Sequence, residues 1–347
     1  MKAASHPWRL VGGLIAAVLA LPLAGECLAR YALGKTALAA TVVDIQTPET
    51  LCEKITYARG FSGRKILVMG DSLAFGRAMR DHGDGQWRAH ELGSAIGRAL
   101  PMSNAQTLIL NLGLNGGLPA DQVQMLRALS GVTFDAIVST ISVRSFATDF
   151  ALQKAAYSRA WLAGVSCPPA AAPSVAGAVE RGFSAVSAFF RSRDLIQRAV
   201  FDGTPLEIIL NLSKRLRSPD KPDEPSLVPA DPQVLLLAKG RFSRISFDEP
   251  HAQVAAFKEF RRLSTAAARK VVFVYGKEAG KLLPSLISKA VYEAHRQRLR
   301  DLVAPGNSVA YADQLDIPST RYIDYVHVDA EGYRLIAGQI APLLDLP

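Results

Sequence analysis

The sequence predicts an α/β fold built on a doubly wound, mainly parallel sheet. Short apolar runs alternate with helical patterns, turn residues close the runs, and the residues with reactive chemistry stand at the runs' carboxyl ends. Of the 347 residues 49% are apolar, enough for a substantial core and incompatible with global disorder. The length suits one large α/β domain with an anchor and an insertion.

Taken in order, the chain opens with an uncharged, mostly apolar run from Leu10 to Gly25, preceded by Lys2 and Arg9. Continued through Glu26–Leu33 it reaches the ~20 residues that span a bilayer, with the basic flank favouring a cytoplasmic amino terminus. Residues 1–33 are therefore expected to form a membrane anchor. A cleaved signal segment is the alternative, with Ala37-Leu38-Ala39 as a cleavage site. Either way the remainder faces the periplasm or the exterior. Residues 34–62 are expected to be a tether, and 63–347 the main folded domain with its insertion.

Lys65 to Met69 reads as the first strand, ending in Gly70-Asp71-Ser72-Leu73. Trp87 to Leu100 reads as an amphipathic helix stopped by Pro101. Thr107–Leu112 is the second strand, running into the turn Gly113-Leu114-Asn115-Gly116-Gly117, and Pro119 opens a helix. Phe134–Ile141, Lys270–Tyr275 and Ser308–Tyr311 complete the strands. Residues from about 146 to 265 break the rhythm and read as a mostly helical insertion, with patches at Ala176–Arg198 and Pro205–Leu216. Within it the proline-rich segment Ser218–Pro225 is expected to be an exposed loop. The expected role of the whole insertion is to wall or cover the carboxyl ends of the strands, with a packing layer as the alternative.

The formal net charge of +9 comes from scattered basic residues without a nucleic-acid motif, so nucleic acid is not an expected partner. Lys214, Arg215 and Arg217, with Arg261 and Arg262 elsewhere, read as a solvated basic surface, with an anionic polymer as the alternative reading. The cysteines Cys27, Cys52 and Cys167 lack metal-ligand spacing with histidine; in an oxidising compartment Cys52 and Cys167 form a candidate disulfide. No metal or dissociable cofactor is expected.

The chemistry rests on Ser72 and on Tyr322-Ile323-Asp324-Tyr325-Val326-His327. A serine hydroxyl needs a base to take its proton as it attacks a carbonyl, and the base needs a group that fixes its tautomer. Ser72, His327 and Asp324 are the candidates for those roles. His82 and His90 read as solvated or capping residues, and Tyr322 and Tyr325 as aromatics packed around Asp324.

With these residues the chain resembles the SGNH/GDSL hydrolase superfamily, over roughly residues 64–145 and 268–345. The resemblance implies a flavodoxin-like three-layer α/β/α sandwich. Gly70-Asp71-Ser72-Leu73 matches the nucleophile block, and Asp324–His327 with Val328–Tyr333 resembles the final block. Asn111–Gly116 resembles the second block, which implies that the backbone N–H groups of Ser72 and Gly116 hold the oxyanion. In the third block the family carries an asparagine donor; here Ile141-Ser142-Val143-Arg144-Ser145 stands instead. Arg144 is thus either a charged oxyanion donor or a salt-bridging loop residue, and Asn115 is another candidate side-chain donor.

The anchor, the insertion and the altered third block resemble envelope acyltransferases of the alginate O-acetylation and teichoic-acid D-alanylation type. That resemblance implies an acyl donor, a polysaccharide acceptor and a membrane-bound O-acyltransferase partner. Two alternatives stay open: an esterase using water as acceptor, and a non-catalytic SGNH-like domain that binds polymer or scaffolds a complex.

Overall fold

The computed structural model describes residues 48–100, 107–147, 162, 165, 167, 232–248 and 251–344. They belong to one compact unit comprising Val43–Pro169 and Pro219–Pro347. The expected anchor, Cys27, the helical patches at Ala176–Arg198 and Pro205–Leu216, the Ser218–Pro225 loop, and Lys214, Arg215 and Arg217 lie outside the described residues. Among the described residues no helix is long and apolar enough to cross a membrane.

The described elements begin with helix α1 (Pro48–Gly60), strand β1 (Arg64–Met69) and short helices α2 (Ser72–Phe75) and α3 (Ala78–Asp81). Helices α4 (Trp87–His90) and α5 (Leu92–Ala99), strand β2 (Thr107–Asn111), helix α6 (Pro119–Ala128) and strand β3 (Phe134–Ile141) follow. After a 3-10 turn at Val143–Phe146 come helices α7 (Pro232–Phe242) and α8 (Ala252–Ala267), then strand β4 (Ala268–Tyr275). Helices α9 (Leu283–Leu286) and α10 (Lys289–Val303), strand β5 (Val309–Ala312) and helix α11 (Ala330–Ile340) complete the series.

The sheet is parallel throughout, in the order β2-β1-β3-β4-β5. Its register sets Val68 beside Asn111 on one side and Val138 on the other, and Ile141 beside Tyr275. Parallel strands covered on both faces are apolar along their whole length. Accordingly Ile66–Met69 and Val271–Tyr275 are fully buried. One face carries Ile66, Val68, Ala136, Val138, Val272 and Val274, packed under α5 and α11 with Phe75 and Trp87. On the other face Phe273 meets Phe257 and Phe260 of α8, at ring-centroid distances of 5.2 and 6.0 Å. Helix α6 packs beside α8, making three layers.

This order reverses direction between β1 and β3, the kind of switch point at whose carboxyl side reactive groups collect in open parallel sheets. Ser72 follows β1 directly and so stands at that switch point.

Three boundaries differ from the sequence reading. The stretch expected as a tether contains α1, whose Leu51, Ile55 and Ala58 are fully buried, while the buried Lys54 directs Nζ to the Asn111 carbonyl at 3.5 Å. Its apolar spacing serves the core, so the domain begins before residue 63. The single helix expected over Trp87–Leu100 is two, because Glu91 is extended (φ −61°, ψ 168°) and uses its carboxylate to cap α5 at the Gly93 and Ser94 N–H groups. Finally, α8 is one of the sheet-covering helices, so the insertion ends before His251 rather than near residue 265.

Candidate active site

Gly70 makes the turn after β1 possible. Its φ is +133°, and a Cβ there would lie 2.0 Å from Thr140 Oγ1, so the close approach of β1 to β3 admits only glycine. Asp71 follows as the cap of α2. One of its carboxylate oxygens accepts from the Leu73 N–H at 3.0 Å and from the Thr140 hydroxyl at 2.8 Å, while the Asp71 N–H donates to Thr140 Oγ1 at 3.1 Å. Both side chains are buried. The aspartate of Gly-Asp-Ser-Leu thus fixes the direction in which Ser72 leaves the strand.

The turn after β2 is packed on the same loop. The Leu114 N–H donates to the Gly70 carbonyl at 3.1 Å, and a Cβ on Gly117 would sit 2.5 Å from that oxygen. Gly116 has φ +64° and is half-buried, whereas Asn115 is exposed at the tip. Beneath them Asn111 Nδ2 donates to the Ala74 carbonyl (2.8 Å) and to the Glu91 carboxylate, and Asn111 Oδ1 accepts from the Gly113 N–H at 2.8 Å. Burial pushes the Glu91 carboxyl up, against the pull of Ser94, the Gly93 and Ser94 N–H groups and Asn111. This network ties β2, α2 and α5 together behind Ser72.

The third part arrives from the carboxyl-terminal side. Residues 322–328 close on themselves: the Ile323 N–H donates to the His327 carbonyl at 2.9 Å, and Asp324 Oδ1 accepts from the N–H groups of Val326 and His327 at 2.8 and 2.7 Å. Asp324 Oδ2 lies 2.6 Å from His327 Nδ1, and His327 Nε2 lies 2.7 Å from Ser72 Oγ. The three residues named from sequence form one continuous relay across 255 residues of chain.

Burial alone would raise the Asp324 carboxyl. The His327 hydrogen bond and charge, with the His327 and Val326 N–H groups, outweigh it and hold Asp324 at about 2. An ionised carboxylate only accepts hydrogen bonds, so Nδ1 carries the imidazole proton, and Nε2 is left to accept from the Ser72 hydroxyl.

Arg144 stands in a buried ion pair. Its Nε faces Glu278 Oε1 at 3.3 Å, with the side chains 12% and 0% exposed, and its guanidinium carbon lies 5.5 Å from the Tyr325 ring centroid. Burial disfavours the guanidinium charge, but Tyr325, Glu278 and Asp71 overcome this and raise Arg144 above its ordinary value. Burial pushes the Glu278 carboxyl up, against the pull of Arg144 and of the Tyr292 and Tyr275 hydroxyls.

The remaining candidates take no part in the relay's hydrogen bonds. His82 Nδ1 contacts the Ala78 carbonyl at 2.9 Å, and His90 pairs with Asp84 at 2.7 Å. Arg261 donates to the Val303 and Ala304 carbonyls at the end of α10, and Arg262 pairs with Glu259 on its own helix. Tyr322 and Tyr325 are buried beside Asp324. Cys52 and Cys167 form a disulfide with Cα atoms 5.2 Å apart. Among the described residues no group of three histidine, cysteine, aspartate or glutamate side chains is placed to hold a metal.

Sequence reading missed Thr140, Glu91 and Glu278. Thr140 was signalled only as a hydroxyl in an apolar strand; Glu91 caps its own neighbours Gly93 and Ser94, but its contact to Asn111, like that of Glu278 to Arg144, is made with a partner distant in sequence.

No family model matches the chain, and no curated protein matches it. Among solved structures, a family two carbohydrate esterase from Clostridium thermocellum, in complex with cellohexaose, is similar at 11% identity and a TM-score of 0.37. That match covers 80% of this chain and 62% of the esterase chain. Another solved structure is similar at 13% identity and a TM-score of 0.36, over 81% of this chain and 96% of its own. Likenesses this distant carry no argument about function, which rests on the site's own geometry.

Proposed function

We propose that the chain is a serine-dependent acyl-ester enzyme working through an acyl-serine intermediate. The observation that carries this reading is the unbroken relay Asp324–His327–Ser72, at 2.6 and 2.7 Å. In the first half-reaction Ser72 Oγ attacks the ester or thioester carbonyl while His327 Nε2 takes the hydroxyl proton. Asp324 stabilises the imidazolium. The tetrahedral oxyanion is assigned to the Ser72 and Gly116 N–H groups, because backbone donors are rigid and need no reorganisation as charge develops. The intermediate collapses as the acyl–oxygen or acyl–sulfur bond breaks, and His327 returns the proton to the leaving group. In the second half an acceptor hydroxyl gives its proton to His327, attacks the acyl-serine and releases Ser72.

We further propose that the acceptor is a sugar hydroxyl of an exported polysaccharide, which makes the enzyme an O-acyltransferase; the alternative acceptor is water, which makes it an esterase. The apolar amino-terminal run and the Cys52–Cys167 disulfide support a catalytic domain in an oxidising compartment outside the cytoplasm. The run supports attachment to the membrane, where a membrane-bound O-acyltransferase would supply the acyl group.

The test is turnover of an activated aryl acetate by the full chain, with fluorophosphonate labelling. Wild-type protein should turn over and label at Ser72. Ser72→Ala should lose about three or more orders of magnitude in kcat, together with the label. Neither turnover nor labelling in the wild type would sink the reading. Adding an oligosaccharide then separates the acceptors: acylated sugar marks transfer, and free acetate alone marks hydrolysis.

A further inference from the structure

Arg144 stands where the resemblance places an oxyanion donor, yet its surroundings commit it elsewhere. Its partner Glu278 is buried just past the end of β4, with one oxygen facing Arg144 at 3.3 Å. The other oxygen accepts from the Tyr292 hydroxyl and from the Tyr275 hydroxyl at 3.2 Å, and Tyr275 and Tyr292 are themselves 2.9 Å apart. The carboxylate is thus fixed from α10 and β4, and it in turn fixes the guanidinium.

From Arg144 the contact continues to the Tyr325 ring at 5.5 Å, a distance at which a guanidinium is attracted to an aromatic face. Tyr325 lies between Asp324 and His327. Its carbonyl is held independently, by the N–H of Ala279 at 2.8 Å, one residue beyond Glu278. The Asp324–His327 turn is rigid within itself, through the two N–H groups on Asp324 Oδ1. Those internal bonds cannot set its distance from Ser72. The contacts at Tyr325 reach it from outside.

We propose that the buried Arg144–Glu278 pair is a positioning device that seats the Asp324–His327 turn against Ser72, and that Arg144 is not an oxyanion donor. The effect on turnover rests on the reading of Ser72 as nucleophile; the effect on the turn's geometry does not. A displacement of about 1 Å in such a relay can cost about 100-fold in rate.

The two roles for Arg144 predict opposite signs at Glu278. If Glu278 merely held back an oxyanion donor, Glu278→Gln would release Arg144 and raise kcat. If the pair seats the turn, Glu278→Gln lowers kcat by about 10- to 100-fold with little change in KM.

The experiment uses the full chain, an activated aryl acetate, and the strongly downfield proton resonance of an imidazole N–H bonded to a carboxylate. The resonance is read with Ser72 in place, where His327 Nε2 also accepts from the Ser72 hydroxyl, so a shift toward its position in Ser72→Ala reports a turn drawn away from Ser72 whether or not the protein turns substrate over. Glu278→Gln is expected to lower kcat and to move that resonance toward its Ser72→Ala position. Tyr325→Leu, which removes the ring but leaves the charge pair, is expected to do the same. A rise in kcat in Glu278→Gln, or an unchanged kcat and resonance in both variants, overturns the proposal. If Glu278→Gln does not fold, Tyr325→Leu decides alone on the same two readouts. A wild type without turnover defeats the enzyme reading, while the resonance still judges the positioning role.

Discussion

Asp324 joins two properties that pull in opposite directions, partial burial and full ionisation. Its carboxylate makes three hydrogen bonds inside a seven-residue turn, and these keep His327 in the tautomer a general base needs. Asp324→Asn should retain the turn's shape but let the amide donate to Nδ1, placing the ring proton on the wrong nitrogen. The expected loss in kcat is about 10³–10⁴-fold. The same residue gives a stability signature. Its carboxyl sits at about 2 against an ordinary 3.8, so between those values the unfolded chain binds more protons than the folded one. The contribution, about 2 kcal/mol, is present above about pH 4 and is lost as pH falls through 2. Denaturant unfolding of wild type and Asp324→Asn should show the wild-type advantage shrinking over that range; a constant gap would contradict the assigned interactions.

The elements matter through their ends. Helix α2 is four residues long and could not stand alone, but Asp71 caps it, Gly76 closes it in the left-handed region, and Thr140 holds the cap to β3. Helix α5 begins where Glu91 interrupts the preceding turn, and the same carboxylate reaches Asn111 at the end of β2. One acidic residue therefore sets both a helix boundary and the floor behind the serine. Burial raises this carboxyl, the opposite case to Asp324: just above its ordinary pKa of 4.5 the folded state holds the extra proton. Stability should drift down as pH rises from about 4.5, and that component should vanish in Glu91→Gln. Parallel unfolding curves for the two proteins would refute it.

At the scale of the whole molecule, sheet order decides where chemistry can occur. The reversal between β1 and β3 marks that place: Ser72 follows β1 there, and the Asp324–His327 turn is delivered to it from beyond β5. The Cys52–Cys167 bridge adds a second long-range tie, joining α1, ahead of the sheet, to the insertion 115 residues later. Cross-linking a loop of that length restricts the unfolded chain, and its removal should cost about 2–5 kcal/mol. Non-reducing peptide mapping should recover the Cys52–Cys167 pair, and reduction or paired Cys→Ser substitution should lower the unfolding midpoint. Free thiols in the oxidised protein would remove both the tie and its support for an extracytoplasmic location.

What the sequence determined by itself was local or periodic. The five apolar runs specified the strands to within two residues at either end, because strands buried on both faces require unbroken apolar sequence. Gly-Asp-Ser-Leu and Asp-x-x-His were legible because the serine turn and the Asp324–His327 pair are built from neighbours in sequence. Tertiary structure alone decided the rest. Arg144 was ambiguous because its role depends on Glu278, 134 positions away in the numbering, and no local pattern reports a pairing made across the ends of two strands. Thr140 acts in the same way, as does the contact of Glu91 to Asn111, through partners that only the sheet brings near, whereas the Glu91 cap on Gly93 and Ser94 is local. The residues expected to react could be read along the chain; the buried polar contacts that hold them in place became visible only once β1, β3 and β4 were side by side.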